Sequence, residues 1–374
     1  MYKSLIITPF FRPNVGGVET HLDDLVYELN NLNFRTLVLT LSPVTTKNTQ
    51  FLNKEILGNV EIIRFNWKSS YLYHWSEKFP IINMLYIFPY FFLKCFFFII
   101  KNKIKCNNIH CQGINAGLIG LFLKRIINSR AKLIISTHAL YEVKKNFFFN
   151  LFLKFFFIKF DAILCVSNAS KNQIQEINPN IKNKIFVYVY WVNTKIFHDM
   201  NLINKNKMNF TFIGRLIEKK GVRLIIEAAK LFKGINFNIA GSGPEESIIK
   251  INSAKLENLF FLGNIPNKKL PEIYSKSNYI CLPSLYEEGL ARVMLESLSC
   301  GTPIIATKLG SIREALDNSV AEFIEPDIDS LTNQIEKCSL SKFDKYLEKR
   351  VNCREKALLK FSEKNINLIT NHYI

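Results

Sequence analysis

The sequence has little that would point to a metal centre or to the common hydrolases. Its eight cysteines are scattered over 374 residues, and the one close group, CNNIHC at 106–111, lacks the second pair that a zinc site needs. They read as reduced thiols. There is no Gly-x-Ser-x-Gly elbow, no Walker loop and no HExxH, so a serine elbow, P-loop phosphate binding and zincin chemistry have no support. An Asp-x-Asp element, DID at 327–329, falls in a late loop away from the other candidate positions, and neither a metal nor a cofactor is expected. The first residues, MYKSLIITPF, run straight into a strand-like segment without the ordered regions of a signal peptide, so a cytoplasmic protein is expected. Two apolar stretches stand out, at 79–100 and 146–160. The first holds fifteen uncharged residues from Phe79 to Leu93 before Lys94, with Pro89 among them. That is short of the roughly 20 residues of a spanning helix, so no span is expected.

Positive charge is abundant: 49 Lys and Arg against 31 Asp and Glu give a net charge of +18. The partner surface is therefore negative, whether nucleic acid, anionic lipid or a phosphorylated substrate. A hydrophobic fraction of 48% excludes a disordered chain, and the length suits two domains. Short β-rich runs (KSLIITPF, FRTLVLT, NNIHCQG, AKLIISTHA, FDAILCVS, KIFVYVY) alternate with helical or loop segments, the pattern of a mostly parallel sheet covered by helices. The alternation pauses in a Lys- and Asn-rich stretch and restarts at FTFIGRL. The spacing predicts an α/β protein of two doubly wound domains, 1–195 and 210–350, with a linker at 196–209 and a C-terminal helix at 351–374 that packs back on the first domain.

Glycines and charges gather where such sheets bind ligands, at the carboxyl ends of strands. Gly16 and Gly17 in NVGGVETH follow the first strand, with Glu19 and His21 read as caps or surface residues. In FIGRLIEKKGV, Gly214, Arg215 and Lys220 follow the first strand of the second domain, so two cations face any diphosphate bound there. Gly241 in IAGSGP and Gly263 in FLGN mark two more strand ends, and His138 in ISTHAL ends a strand of the first domain. A lone histidine or a Lys–Arg pair in a basic protein is also compatible with a structural role.

EGLARVMLE, at 288–296, sets two carboxylates around an apolar helical run in which Leu290, Val293, Met294 and Leu298 share a face. Glu288 stands in the loop before the helix and Glu296 about five residues into it. The N–H groups between them, at Gly289, Leu290 and Ala291, suit a phosphate. Taken alone, the pair reads sooner as a capping and a solvated glutamate, since acidic residues are common near helix N-termini.

Taken together, GGVE, FIGRLIEKKGV, AGSGP, FLGNIP and PSLYEEGLARVMLESLSCGTPIIATKLGSIRE resemble the retaining glycosyltransferases of the GT-B fold, in the large group-1, family-4 type, most closely over residues 210–315. The resemblance implies two Rossmann-like domains facing a cleft and a nucleotide-sugar donor. It implies that Glu288 contacts the donor sugar, Glu296 the ribose hydroxyls, and that the diphosphate lies at the intervening helix N-terminus. Arg215 and Lys220 match the cations that meet the leaving diphosphate, and His138 matches a histidine near the reacting centre. Ala291 replaces a frequent glycine, and YWVN at 190–193 puts Trp191 where a glycine is common.

The expected activity is transfer of a hexose to a lipid-linked or surface-polysaccharide acceptor, such as lipopolysaccharide, with no nucleic acid as partner. The alternatives are a nucleotide-sugar epimerase of similar fold and a non-catalytic basic membrane-binding protein. Lysines 94, 101, 103, 144, 145, 154 and 159 border the aromatic stretches as in interfacial helices, so peripheral binding to the anionic inner face of the cell membrane is expected.

Overall fold

The computed structural model describes residues 1–14, 16–43, 50–67, 80–138, 147–203, 207–286, 291–310 and 312–373. Glu288, Gly289, Leu290, Lys144 and Lys145 lie outside the described residues. The chain forms two compact units, one of residues 1–189 with 365–374 and one of residues 190–364. The boundary therefore precedes the polar stretch at 196–209, and most of the C-terminal helix belongs to the second unit. Two arginines explain both shifts. Arg354 donates to the carbonyls of Thr194, Phe197 and Ser299, and Arg350 pairs with Asp199 at 2.6 Å, so the helix and the segment after Tyr190 are tied into the same body.

The first unit runs β1 (Tyr2–Ile7), α1 (Gly17–Asn31), β2 (Thr36–Leu41), β3 (Lys54–Leu57), β4 (Val60–Phe65), α2 (Pro80–Lys101), β5 (Cys106–Gln112), α3 (Gly113–Ile127), β6 (Lys132–Thr137), α4 (Phe147–Phe157), β7 (Ala162–Cys165), α5 (Asn168–Ile177) and β8 (Ile185–Val187). Its sheet has the order β3-β4-β2-β1-β5-β6-β7-β8, parallel except for the β3–β4 hairpin. That hairpin, closed at Gly58 and Asn59, was not among the sequence-expected strands. The order reverses between β1 and β5, which makes their carboxyl ends the switch point of the sheet.

Period-two alternation gives the sheet two unlike faces. Leu5, Ile7, Leu37, Leu39, Ile109, Cys111, Leu133 and Ile135 pack in one apolar core under α2 to α5. The alternate residues include Ser4, Thr36, Asn108, His110, Gln112 and Ser136, all buried and polar.

Helix α2 is continuous through Pro89 and, at 22 residues, longer than the uncharged run suggests. Proline removes one N–H from a helix that is otherwise bonded, and here that loss does not end it. The helix is long and apolar enough to cross a membrane by length and composition alone. Among its described side chains it buries the stripe Ile87, Phe91, Cys95 and Ile99, while Ile82, Leu85, Leu93, Phe97 and Ile100 are exposed.

The second unit runs β9 (Asn209–Ile213), α6 (Val222–Leu231), β10 (Asn236–Ala240), α7 (Glu246–Ser253), β11 (Leu259–Gly263), α8 (Leu270–Lys276), β12 (Tyr279–Leu282), α9 (Arg292–Ser299), β13 (Ile304–Thr307), α10 (Ile312–Ala315), β14 (Ala321–Ile324), α11 (Ile328–Ser339) and α12 (Phe343–Lys360). A short α13 (Asn367–Thr370) follows in the first unit. The strand order is β11-β10-β9-β12-β13-β14, all parallel, with the switch point between β9 and β12. Asp327 caps α11, accepting from the Ser330 N–H at 2.7 Å, so the DID element starts a helix.

Helix α3 lies close to its sheet because it presents Gly117 there. A Cβ at Gly117 would come within 2.6 Å of the Phe156 ring on α4 and 2.9 Å of Ile135. Gly117→Ala gains about 1 kcal/mol of helix propensity, but overpacking costs about 1–3 kcal/mol. A net loss is expected, read as a lower urea midpoint; an unchanged or higher midpoint would show that α4 yields without cost.

Candidate active site

In the second unit, the candidate site grows from backbone that stays paired after the strands end. Gly214 N donates to Ala240 O at 3.1 Å, Gly241 N to Gly263 O at 2.8 Å, and Leu216 N to Ser242 O at 2.8 Å. These three bonds lace together the loops after β9, β10 and β11. Gly241 has φ +138, and a Cβ there would fall 1.8 Å from the Gly214 carbonyl oxygen, so no other residue fits.

Arg215 emerges exposed from this laced edge, two residues beyond β9. Lys220 closes a single 3₁₀ turn, Glu218–Lys220, and is half-buried. Gly221 follows in the left-handed region with φ +71, where a Cβ would meet the Pro283 carbonyl at 1.9 Å. Leu285 N donates to Lys219 O at 2.8 Å, and the Lys220 ammonium lies 5.7 Å from the Tyr286 ring. The basic loop is thus fixed against the loop after β12, at the switch point. Residues 287–290 continue from that loop to α9, whose N-cap is Ala291.

Glu296 is the fifth residue of α9 and is only 4% exposed. Its Oε2 accepts from the Tyr274 hydroxyl at 2.8 Å, and its Oε1 faces Arg292 Nε at 3.3 Å. Arg292 in turn donates to the carbonyl of Trp191 at 3.2 Å, and the Trp191 side chain is itself fully buried. Burial raises the carboxyl pKa of Glu296, with Arg292 and Tyr274 opposing it. The apolar face expected of this helix is only part of its surroundings, since Arg292, Ser297 and Ser299 are buried as well. The Arg292–Glu296 spacing of four residues was a readable helical ion pair. Tyr274, on α8, had no local signal.

In the first unit, Gly16 and Gly17 start α1 at the switch point between β1 and β5. His21 is buried rather than at the surface, its ring 5.4 Å from Tyr188 and 6.3 Å from His138. His138 follows β6 and is partly buried, with Nε2 2.7 Å from the Gln112 amide oxygen. Burial lowers its pKa to about 4, which keeps the imidazole neutral at neutral pH. Gln112 was not predicted from the sequence. All eight cysteines are unpaired and buried, and among the described residues no group of three or more His, Cys, Asp and Glu side chains converges as a metal site.

Two family models match, in tandem: Glycosyltransferase Family 4 over residues 15–190 and Glycosyl transferases group 1 over residues 193–359. A glycosyltransferase of uncharacterized function from Methanocaldococcus jannaschii is 27% identical over 326 residues, 83% of this chain and 80% of that one. A phosphatidylinositol N-acetylglucosaminyltransferase chain of Arabidopsis thaliana is 23% identical over 345 residues, 90% of this chain and 74% of that one. Among solved structures, sucrose-phosphate synthase of Thermosynechococcus elongatus aligns with a TM-score of 0.76 at 18% identity, covering 98% of this chain and 97% of that one. HepE of Anabaena in complex with UDP-glucose aligns at 0.71 and 16% identity, covering 98% and 97%. These likenesses favour a transferase over the epimerase and the non-catalytic alternatives. With the laced strand ends and both family models spanning it in tandem, the chain belongs to the group-1, family-4 glycosyltransferases and has their GT-B fold.

Proposed function

We propose that this enzyme moves a hexose, with retention at the anomeric carbon and without a metal, from a nucleoside diphosphate sugar to a lipid-linked or surface-polysaccharide acceptor, lipopolysaccharide among them. The observation that carries the reading is the fixing of the Arg215–Lys220 loop beside the loop that leads into α9. As the donor's glycosidic bond breaks, negative charge builds on the leaving diphosphate. Two cations and the first N–H groups of α9 meet that charge without the help of a metal ion.

Glu296 serves the ribose in this reading. Each of its oxygens holds one partner and retains a second lone pair, and Tyr274 and Arg292 fix the carboxylate plane. Glu288 is assigned to the donor sugar with Gly289 and Leu290 at the diphosphate, on the motif alone. His138, Gly16 and Gly17 are assigned to the donor by resemblance, and the neutral state of His138 suits a hydrogen-bonding rather than a charged role.

The acceptor reading draws on α2. One stripe of this helix is packed on the sheet, so only its opposite side is available to lipid, which favours lying on a membrane over crossing it. Exposed Phe122 on α3 sits 5.7 Å from Phe92 of α2, and Phe148, Leu151 and Phe155 are exposed on α4. Lys94 and Lys101 lie in α2 and Lys103 just after it. The phosphatidylinositol N-acetylglucosaminyltransferase relatives carry a membrane lipid in their names, in line with a lipid-borne acceptor at the cytoplasmic face of the membrane.

Slow hydrolysis across a panel of nucleoside diphosphate sugars identifies the donor. With that donor, Arg215→Ala and Lys220→Ala are each expected to lower kcat about 10²- to 10³-fold, with a smaller change in KM, because their partner gains charge only in the transition state. Retained turnover in both variants would remove these residues from the site.

Co-sedimentation with anionic vesicles checks the membrane reading. Each anchoring side chain contributes roughly 1.5–3 kcal/mol when fully buried, and each nearby lysine about 1 kcal/mol. Binding is expected to weaken but persist as salt is raised, and to be lost in a Leu93→Glu, Phe97→Glu variant. A wild-type protein that stays in the supernatant at low salt would point to a soluble acceptor.

A further inference from the structure

The buried polar face of the first sheet holds a continuous hydrogen-bonded chain that reaches His138. Tyr373, in the segment after α13, places its hydroxyl 2.7 Å from His110 Nδ1. His110 lies on β5, fully buried, and its Nε2 faces Ser136 Oγ at 2.7 Å and Gln112 Nε2 at 3.2 Å. The other end of the same Gln112 amide, Oε1, is 2.7 Å from His138 Nε2. Period-two alternation puts His110 and Gln112 on one face of β5 and Ser136 on the same face of the neighbouring β6, with His138 two residues further on, just past the strand's end.

The atom types fix the direction of the two bonds that the Gln112 amide makes, and the others follow from them. An amide nitrogen only donates and an amide oxygen only accepts. Gln112 Nε2 therefore requires a lone pair on His110 Nε2, which leaves the His110 proton on Nδ1, donated to Tyr373. Burial lowers the His110 pKa to about 3, consistent with a neutral ring. Gln112 Oε1 in turn requires the proton of His138 to sit on Nε2, so its Nδ1 carries the lone pair.

We propose that Gln112 is a positioning residue for His138, and that Tyr373, acting through His110, sets the orientation of the Gln112 amide and hence the tautomer that His138 offers to the donor sugar. The proposal rests on the assignment of His138 to the donor given above. It gives residues 365–374 a function besides packing: their aromatic hydroxyl, more than 230 residues away in sequence, selects the tautomer of a site histidine.

The test reads the tautomer and the kinetics separately. Long-range ¹⁵N–¹H NMR of the full-length, ¹⁵N-histidine-labelled protein distinguishes the two ring nitrogens. His138 is expected as Nε2–H and His110 as Nδ1–H in the wild type. In Tyr373→Phe, which keeps the ring in its buried place, His110 is expected to lose its single tautomer and His138 to become mixed. Gln112→Ala should mix His138 directly, and Gln112→Glu, which keeps an acceptor, should restore Nε2–H on His138. Donor hydrolysis should follow the tautomer: kcat falls about tenfold to a hundredfold in Gln112→Ala with KM little changed, and recovers in part in Gln112→Glu.

An Nδ1–H tautomer on wild-type His138, or an unchanged His138 in both Gln112→Ala and Tyr373→Phe, would overturn the proposal. A shifted tautomer with unchanged kcat would also overturn it. A further variant, His138→Ala, then separates the two failures. If it too keeps full turnover, the assignment of His138 to the donor has failed; if it loses turnover, only the positioning role has.

Discussion

Parallel strands deliver their carboxyl ends to a single edge, and in the second unit the hydrogen bonding does not stop there. It continues through Gly214, Leu216 and Gly241 into the loops, and across from Lys219 to Leu285. The proposed donor contacts of Arg215 and Lys220 depend on that extension, because it turns strand-to-helix connections into a fixed rim. The glycines are required by close approach of backbone to backbone, since Gly241 and Gly221 each leave no room for a Cβ beside a carbonyl oxygen. Rigidity of this kind suits a site that meets developing charge, since donors already in place need not reorganise as the bond breaks.

Both units also hold buried polar groups. In the second, Glu296 is held between Tyr274 and Arg292 inside a helix that is enclosed on most sides. In the first, the polar face of the sheet carries His110, Ser136 and Gln112 to His138. Burying such groups is costly unless each is bonded, so their arrangement is strongly determined by the surrounding fold. A buried, bonded carboxylate and a buried, bonded imidazole are alike in one respect: neither is free to choose its rotamer or, for the histidine, its proton position.

Much of this was legible in the sequence because it is local. Strand, glycine and helix follow one another within a few residues, so the positions of Arg215, Lys220, Gly241 and the α9 helix could be placed from the motifs. The two-unit α/β architecture followed from the alternation. What could not be read is non-local. Tyr274 and Glu296 are separated by 22 residues and meet only through the packing of α8 and α9. Tyr373 and His110 are 263 residues apart, and no spacing rule connects them. The unit boundary was misplaced for the same reason, since it is fixed by Arg350 and Arg354 reaching back to residues 194–199. His21 was read as a cap or surface residue; here it is buried and packed against Tyr188.

The central claim is that a nucleoside diphosphate binds on the laced rim of the second unit. Amide hydrogen exchange of the full-length protein, with and without saturating UDP or another nucleoside diphosphate, measures this directly, since a ligand protects the amides it orders. The account predicts added protection in the segments around Gly214–Gly221, Gly241–Gly243 and the start of α9, with the edge strand β14 unchanged. Binding accompanied by protection elsewhere, and none in those three segments, would contradict it.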